Sequence, residues 1–380
     1  MEKKSNSNQI QALQLIKQEQ DKVGQGFCVL KWFHLEMHLG TGLSHSCYHC
    51  PTQKIPLGAD LHNTPQKIEK RAEMLQGNRP SECSYCWEVE DLDLISDRQT
   101  LAVQFFKHNR NIVDEAVKAG TGYVYPKYLE ISFTNKCQMA CSYCGPSFSS
   151  TWQKEIDEYG SYNLSQKEYH NGDEYRGKDN QYITRFWKWF PQAYEHLFVL
   201  RVTGGEPLLD KNTYKLLEYV KQNPREGLSF HCNSNLMVSK NRIIKYCRLA
   251  KDIPNSKLYV SIDSWGKQAE YIRWGLDYDY WCHNMERKVK DLSSNGEYEC
   301  EICLKSFNQK GTLKKHTVQI HEGKRSYECK ICQKSFSQKI NLQTHRVSVH
   351  ERKRSYQCNV CSKNYTRIHH LSNHISSVHE

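Results

Sequence analysis

Short apolar runs separated by longer amphipathic stretches organise the middle of the chain. The segments 129–136, 197–210, 227–236 and 257–266 each contain apolar residues in the pattern of a buried or half-buried β-strand. The stretches between them have helical character, and the aromatic segment 186–197 is expected to pack as a helix. Strands that alternate with helices predict a parallel α/β sheet that binds ligands at the carboxyl ends of its strands.

The carboxyl-terminal segment follows a different, repeated pattern. Cysteine pairs begin at Cys300, Cys329 and Cys358, which are 29 residues apart. Each copy keeps three apolar positions for a small core, namely Tyr298, Phe307 and Leu313; Tyr327, Phe336 and Leu342; and Tyr356, Tyr365 and Leu371. Three apolar side chains cannot stabilise a unit of about 25 residues alone, so each copy needs a bound metal in order to fold.

Each repeat supplies two cysteines and two histidines at the spacing of a structural zinc site. Cysteines on a hairpin and histidines one turn apart on a helix enclose zinc tetrahedrally, which leaves no open position for catalysis. The predicted ligands are Cys300, Cys303, His316 and His321; Cys329, Cys332, His345 and His350; and Cys358, Cys361, His374 and His379.

Charge is unevenly distributed along the chain. The 380 residues carry a formal net charge of +11, and residues 297–380 hold 15 Lys and Arg against 7 Asp and Glu. The basic surface that would attract an acidic partner therefore lies in the repeats.

The sequence has neither the run of about 18 apolar residues that a membrane span needs nor a secretory signal, so we expect an unsecreted protein that does not span a membrane. Fourteen of its 17 cysteines are accordingly expected to bind metal rather than to form disulfides, and Cys232, Cys247 and Cys282 are expected to be scattered buried thiols.

Over their whole length, the repeats resemble the classical Cys-Cys-His-His zinc fingers, which are ββα units. The resemblance implies nucleic-acid binding, with three helix positions per finger facing successive bases in the major groove. Those positions here are Gln309, Thr312 and Lys315; Gln338, Asn341 and Thr344; and Arg367, His370 and Asn373. The linkers HEGKRSYEC and HERKRSYQC keep the usual length and basic character but lack the usual proline. The resemblance favours double-stranded DNA as the partner, and the missing proline leaves RNA or protein as the alternative.

Three cysteines follow the first predicted strand. Cys137, Cys141 and Cys144 stand in a loop and could ligate three irons of a 4Fe–4S cluster, which leaves the fourth iron open. With Tyr143 before the last cysteine, this loop resembles that of the radical S-adenosylmethionine (radical SAM) superfamily.

The second predicted strand ends in Gly204, Gly205 and Glu206. In the radical SAM superfamily, the corresponding segment binds the amino group of SAM, and glycines allow the backbone to approach a ligand closely. Arg273, in the segment EYIRWG, resembles a position that helps to hold SAM in related enzymes. The resemblance implies that the cluster cleaves SAM to a 5′-deoxyadenosyl radical.

Five further cysteines lie in the amino-terminal region. This region resembles the twitch domain, a small domain that binds an auxiliary iron–sulfur cluster in some radical SAM enzymes. The candidate ligands are Cys28, Cys47, Cys50, Cys83 and Cys86. A zinc ion held by the two Cys-x-x-Cys pairs is the alternative. His45 and His49 are expected to be surface histidines.

These features predict a multidomain protein: an α/β partial (βα) barrel of radical SAM type, with a cysteine-rich auxiliary domain, followed by three zinc fingers. A complete barrel of this type has about six βα units, and the sequence shows about four. The predicted ranges are a polar segment (1–24), the auxiliary domain (25–120), the partial barrel (121–290), a linker (291–297) and the fingers (298–321, 327–350 and 356–379).

Three functional hypotheses follow. The first is a zinc-binding, DNA-binding protein with a relic or truncated radical SAM-like module, which would be nuclear. The second is an active radical SAM enzyme that the fingers recruit to its target, and without dominant fingers it would be cytoplasmic. The third is a recent or artefactual fusion of two genes at residues 290–297.

Overall fold

The chain forms two compact units in the computed structural model, Met1–Ser293 and Ser294–Glu380. The structure describes residues 2–161, 179–293, 298–299, 306–307, 310–318, 327–336, 339–351, 356–365, 374 and 376–378. Within these residues, no helix combines the length and apolar character that a membrane span requires.

One sheet dominates the first unit. Its seven strands, counted over the described residues, have the order β3-β2-β1-β4-β6-β7-β8. They are β1 (His34–His38), β2 (Leu43–His45), β3 (Gln53–Lys54), β4 (Tyr128–Ser132), β6 (Val199–Thr203), β7 (Ser229–Ser234) and β8 (Lys257–Val260). The pairs β1–β4, β4–β6, β6–β7 and β7–β8 are parallel. The pairs β1–β2 and β2–β3 are antiparallel hairpins. The four strands predicted from the sequence are β4, β6, β7 and β8.

The two faces of this sheet differ in chemistry. Leu129, Ile131, Leu200, Val202 and Phe230 point to one face and belong to the main hydrophobic core. Alternate residues of the same strands point to the other face, because successive side chains in a strand face opposite ways. That second face is polar and carries Glu36, Tyr128, Glu130, Arg201 and His231.

Helices cover the apolar face and flank the sheet. They are α1 (Glu2–Asp21), α2 (Leu30–Phe33), α3 (Pro65–Leu75), α4 (Ser84–Glu90), α5 (Asp97–Thr100), α6 (Val103–His108), α7 (Ile112–Ala119), α8 (Ser150–Tyr159), α9 (Gln181–Tyr194), α10 (Lys211–Gln222), α11 (Lys240–Ala250), α12 (Gly266–Ile272) and α13 (Tyr278–Ser293). Helix α9 begins earlier than the predicted aromatic helix (186–197) and ends at Tyr194, and it buries Phe186, Phe190 and Tyr194 in the core. A short two-stranded sheet pairs β5 (Ala140–Cys141) with β9 (Arg273–Trp274).

Strand β1 ties the amino-terminal region to the radical SAM-like region. It pairs in parallel with β4, so that His34 lies opposite Tyr128 and Glu36 opposite Glu130. The sheet therefore crosses the predicted boundary between residues 120 and 121. Because β1 covers one edge of the predicted barrel strands, the outer strand on the other side is β8.

The second unit contains three small hairpins, and the described residues include a helix after each of the first two. The hairpins pair β10 (Tyr298–Glu299) with β11 (Ser306–Phe307), β12 (Tyr327–Glu328) with β13 (Ser335–Phe336), and β14 (Tyr356–Gln357) with β15 (Asn364–Tyr365). Helix α14 (Lys310–His316) follows the first hairpin and α15 (Lys339–His345) the second. A π-helical turn, Arg346–His350, continues α15 and carries its last histidine.

Candidate metal and cofactor sites

The three-cysteine loop leaves the carboxyl end of β4 and is held by the start of α8. The hydroxyl groups of Ser150 and Thr151 donate hydrogen bonds to the Cys137 carbonyl oxygen at 3.0 and 2.8 Å. The indole nitrogen of Trp152 donates to the Cys141 carbonyl oxygen at 2.9 Å. These contacts fix the backbone of the loop independently of any bound group.

The sulfur atoms of this loop lie in a mostly apolar environment. Cys137 and Cys141 are buried with Met139, Ala269 and Leu276, and Cys144 packs against the same group. Burial raises the pKa of the Cys137 thiol to about 12 and that of Cys144 to about 11. Thiols in such surroundings become thiolates when a metal supplies compensating positive charge. The donor set therefore fits three irons of a 4Fe–4S cluster.

Two polar side chains approach the sulfurs. Asn235, just after β7, donates from Nδ2 to the Cys137 sulfur at 3.6 Å. Arg273 reaches the Cys141 sulfur at 4.0 Å from one terminal nitrogen. Hydrogen bonds and charge near the sulfurs are the usual means by which a protein tunes an iron–sulfur cluster.

The predicted SAM-binding glycines lie where the backbone of β6 passes close to the cluster loop. Gly204 has a φ of +109°, and a Cβ atom there would lie 2.1 Å from the hydroxyl oxygen of Ser132. At Gly205 an added Cβ would lie 2.5 Å from the carbonyl oxygen of Lys136. Both positions therefore require glycine for a close approach of two backbone segments.

The Glu206 carboxylate is directed into the protein. It accepts hydrogen bonds from Leu208 N at 3.0 Å, Ser234 Oγ at 2.8 Å and Asn235 N at 2.7 Å. Burial raises its pKa to about 7, while these donated hydrogen bonds act in the opposite direction. Glu206 thereby joins the end of β6 to the end of β7, and acts on the site through the loops that it holds.

Arg273 lies beside the cluster loop. Its Nε is 2.6 Å from the Asp263 carboxylate, and its guanidinium lies 5.5 Å from the centre of the Tyr143 ring. The Tyr143 hydroxyl donates to the same carboxylate at 2.8 Å. The β5–β9 pairing, with Arg273 opposite Cys141, sets this arrangement.

The five amino-terminal cysteines converge, as their candidate role requires. The sulfurs of Cys47 and Cys50 are 3.4 Å apart, and those of Cys50 and Cys83 are 3.8 Å apart. Cys28, Cys47, Cys83 and Cys86 line one cavity. The Lys31 ammonium lies 3.7 Å from the Cys50 sulfur and offsets thiolate charge. This thiol-rich set fits a metal or an iron–sulfur cluster, with both alternatives of the sequence prediction still open.

The prediction for the two nearby histidines was only partly right. The His45 side chain is 8 % exposed and contacts Glu36, because the β1–β2 hairpin folds it onto the sheet. His49 is more exposed and pairs with Asp97 at 2.6 Å. The segment HLEMH (34–38) alternates polar and apolar residues, which indicates a strand with one polar face. We missed this signal, and His45 packs against that polar face.

A polar network on the same sheet face was also missed. The Tyr48 and Tyr128 hydroxyls donate to Glu130 Oε2 at 3.2 and 3.0 Å. Arg201 lies 3.6 Å from that carboxylate and donates to Asn233 at 3.2 Å. Polar residues that alternate with apolar ones in β4 and β6 were the available signal.

The second repeat brings all four of its predicted zinc ligands together. The donor atoms of Cys329, Cys332, His345 and His350 lie within 4.8 Å of one another. The Cys332 sulfur is 3.1 Å from His345 Nε2, and the Cys329 sulfur is 3.4 Å from His350 Nε2. Zinc–ligand bonds of about 2.0–2.3 Å place tetrahedral donors about 3.5 Å apart, so this set fits zinc.

The other repeats are described only in part. In the third, Cys358, Cys361 and His374 form a similar group. His316 of the first repeat lies at the end of α14. The predicted ligands Cys300, Cys303, His321 and His379 lie outside the described residues.

Some predicted base-contact residues are exposed on the helices. Thr312, Lys315 and Asn341 are exposed, and Thr344 lies in α15. The predicted contacts Gln309, Gln338, Arg367, His370 and Asn373 lie outside the described residues.

Comparisons with known proteins identify two families. Residues 131–290 match the Radical SAM superfamily, and residues 298–321, 327–350 and 356–379 match the zinc finger of C2H2 type. These matches confirm both resemblances and the predicted fold class. They imply zinc for the repeats, and a 4Fe–4S cluster with SAM for residues 131–290. A comparison with curated proteins found no match.

Solved structures of both kinds are similar to parts of the chain. The C-terminal zinc fingers 6–9 of ZBTB38, in complex with methylated DNA, share 34 % identity over 22 % of this chain and 73 % of that chain, with a TM-score of 0.20. SuiB of Streptococcus suis, bound to S-adenosylmethionine, shares 11 % identity over 68 % of this chain and 53 % of that chain, with a TM-score of 0.33.

Proposed function

Since this chain combines a radical SAM domain with three C2H2 zinc fingers, we propose that the fingers bind double-stranded DNA and bring the radical SAM domain to it. The observation that carries the DNA-binding proposal is the preassembled Cys329–Cys332–His345–His350 group, next to a helix with exposed polar side chains. Zinc at such a group supplies the folding free energy that fixes the helix.

The exposed side chains suit the major groove. Asn341 offers an amide that pairs with adenine in a bidentate manner, and Lys315 offers a donor for guanine. Exposed lysines such as Lys314 add phosphate contacts, which set affinity rather than sequence preference. DNA binding of this kind would place the protein in the nucleus.

DNA binding is tested with the full chain, saturated with zinc, on double-stranded and single-stranded oligonucleotides. Affinity for duplex DNA should fall steeply with salt, because each neutralised phosphate releases counterions. Lys315→Ala should weaken binding by about 1–3 kcal/mol at its preferred site, if it contacts guanine. Lys251→Ala removes the same charge from an exposed site in the other unit and serves as the matched control.

RNA or protein binding would give a different result. Tighter binding to single-stranded RNA than to duplex DNA would overturn the DNA proposal. So would an affinity that does not change with salt.

Radical SAM chemistry is the second function that we propose. It is supported by the contact of Asn235 Nδ2 with the Cys137 sulfur, because that contact connects the cluster loop to the end of β7. When bound, the cluster and SAM together supply a carbon radical that abstracts hydrogen from a substrate.

The roles that we assign to the chain are binding and positioning. Cys137, Cys141 and Cys144 hold the cluster, and the backbone at Gly204 and Gly205 receives SAM. Asp263 holds Arg273 against the loop, and the Tyr143 hydroxyl in turn holds Asp263. The polar sheet face around Glu130 and Arg201 then presents hydrogen-bonding groups to a substrate.

The enzymatic proposal is tested by anaerobic cluster reconstitution of the full chain, followed by measurement of 5′-deoxyadenosine release from SAM. Cys141→Ala should lose the product and the share of the cluster absorbance that the Cys137, Cys141 and Cys144 loop contributes. Cys282→Ser changes a half-buried thiol of α13 and should retain both. A fully reconstituted wild-type protein that releases no product would show that the domain is inactive.

A further inference from the structure

Three potential metal ligands meet on the β1–β2 hairpin, away from the assigned cysteines. His38 Nε2 and His45 Nε2 are 3.2 Å apart. The Glu36 Oε1 atom lies 3.3 Å from His45 Nε2 and 3.7 Å from His38 Nε2. All three donor atoms therefore fall within 4.8 Å of one another.

These separations suit a shared metal ion. Bonds of about 2.0–2.2 Å to nitrogen and oxygen place neighbouring donors about 3–3.5 Å apart. Two imidazoles and one carboxylate form a known donor set for divalent first-row metals, and this set leaves coordination positions open.

A hydrogen bond to the backbone fixes which nitrogen of His45 faces Glu36 and His38. Its Nδ1 lies 2.6 Å from the carbonyl oxygen of Cys47. A carbonyl oxygen only accepts hydrogen bonds, so Nδ1 carries a proton and donates it. In the neutral ring, the lone pair is then on Nε2, directed at His38 and Glu36, as in most metal-binding histidines.

Glu36 provides an independent indication that a cation binds here. It is 7 % exposed, and its Oε2 has no hydrogen-bond partner among the described residues. A second buried carboxylate, Glu130, stands opposite it on β4. Arg201 lies 3.6 Å from Glu130, so it offsets that carboxylate rather than Glu36. Burying a carboxylate costs free energy unless it is paired or bound to a metal.

The location is also one where ligands bind. His38 ends β1 at the carboxyl edge of the parallel strands, the edge at which the cluster loop leaves β4. Phe148, just after the cluster loop, packs edge-on against the His38 ring with 5.3 Å between the ring centres.

We propose that Glu36, His38 and His45 bind a divalent first-row transition metal, ferrous iron or zinc, at a site separate from the thiol sites. The site lies on the polar face of the sheet, and its open positions face the surroundings of the cluster loop. Oxygen and nitrogen donors distinguish it from the cysteine sites, which prefer softer metal ions.

The test uses the full chain supplied with only as many equivalents of zinc as its thiol sites hold, because thiolates bind zinc more tightly than two imidazoles and a carboxylate and therefore fill first. Cobalt(II) is then titrated in. We expect an additional equivalent to bind, with visible d–d bands and without thiolate charge-transfer absorption. Glu36→Gln and His45→Gln should each weaken cobalt binding by about 100-fold or more, since changing a residue that only hydrogen-bonds to a metal ligand already costs about 10–100-fold. Competition with iron(II) and with zinc then shows which of the two binds more tightly.

His231→Gln is the control, because His231 lies on the same sheet face outside the triad. It should bind cobalt as the wild type does. Undiminished uptake in both triad variants would overturn the proposal, and so would an equal loss in His231→Gln. The wild-type titration tests the proposal even if a triad variant fails to fold. If the wild type shows no additional d–d bands, the site binds no metal, and His45 and Glu36 form only an ion pair.

Discussion

At the scale of single residues, Glu206 shows how one buried carboxylate holds the proposed SAM site. Glu206→Gln replaces an acceptor oxygen with an amide that donates, opposite two backbone N–H donors and one hydroxyl. Leaving such donors unpaired costs about 1–3 kcal/mol each. We expect the free energy of unfolding to fall by at least about 2 kcal/mol, measured by urea denaturation, and SAM affinity, measured by calorimetry, to fall about tenfold or more.

The matched control is Glu226→Gln, which makes the same change on an exposed side chain. Surface changes of this kind are usually within about 0.5 kcal/mol. Equal stability of the two variants would show that the three hydrogen bonds to Glu206 contribute nothing.

A second residue-scale prediction concerns two arginines that both lie over the Trp87 ring. Arg98 pairs with Glu90 at 2.5 Å, and both side chains are 1 % exposed, whereas the Arg79–Asp91 pair lies at the surface. Arg98→Met removes the close cationic partner of the buried Glu90 carboxylate and leaves it the more distant Lys17 ammonium at 3.6 Å, so it should cost about 3–5 kcal/mol of unfolding free energy. Arg79→Met should cost less than about 1 kcal/mol in the same denaturation experiment. If the two variants lost similar amounts of unfolding free energy, packing of the arginines on Trp87 would contribute more to stability than the buried ion pair.

Predictability at this scale depended on sequence separation. The cysteines of the cluster loop and of the fingers lie within one short motif, so spacing alone predicted their grouping. Glu36 and His45 stand opposite each other only because of the hairpin register, and Glu36 faces Glu130 only through a parallel pairing. Neither relationship is encoded in local spacing.

At the scale of elements, the junction between β4 and β6 depends on glycine. Gly204→Ala would place a methyl group against Ser132 in a backbone conformation that L-residues avoid. The strained φ alone costs about 1–2 kcal/mol, and the clash adds to it. We therefore expect at least about 2 kcal/mol of destabilisation in chemical denaturation.

Gly227→Ala is the comparison, because an added methyl group there meets no atom within 4 Å. It should leave stability nearly unchanged or raise it slightly, since alanine restricts the unfolded chain. If both variants were equally stable, the close approach at Gly204 would be irrelevant to the fold.

The elements themselves were predicted well where periodicity was strong. The four predicted strands and the aromatic helix α9 are present, because burial on one or both faces leaves a pattern in the sequence. Strand β1 was not predicted as part of the same sheet. Its partner β4 lies about 90 residues away, and no local pattern specifies pairing over such a distance.

At the scale of the whole molecule, two units with different sources of stability should unfold separately. The first has a large hydrophobic core, whereas the fingers rely on zinc. In calorimetry of the zinc-loaded chain without iron–sulfur clusters, we expect two transitions. A chelator should abolish the finger transition, whereas the first unit should still unfold in a transition of its own, lowered only by the loss of the zinc that its own sites hold.

Re-addition of zinc should restore the lost transition, which separates metal removal from irreversible damage. A single transition that shifts as a whole would contradict independent unfolding.

A single transcript that reads continuously through the codons for residues 285–300 would establish that both units are made as one protein, and separate transcripts would support the fusion hypothesis.

The pairing of β1 with β4 also sets the order of events during synthesis. Tyr128 and Val199 belong to the same apolar cluster as Cys50, Cys83 and Cys86. This group of apolar side chains is therefore incomplete until the ribosome has translated β6, long after the thiols have emerged. Closing so long a loop is slow relative to local folding. Cluster or metal insertion at these thiols consequently has to wait for the sheet, and a ribosome stalled before residue 199 would carry exposed cysteines that are open to oxidation.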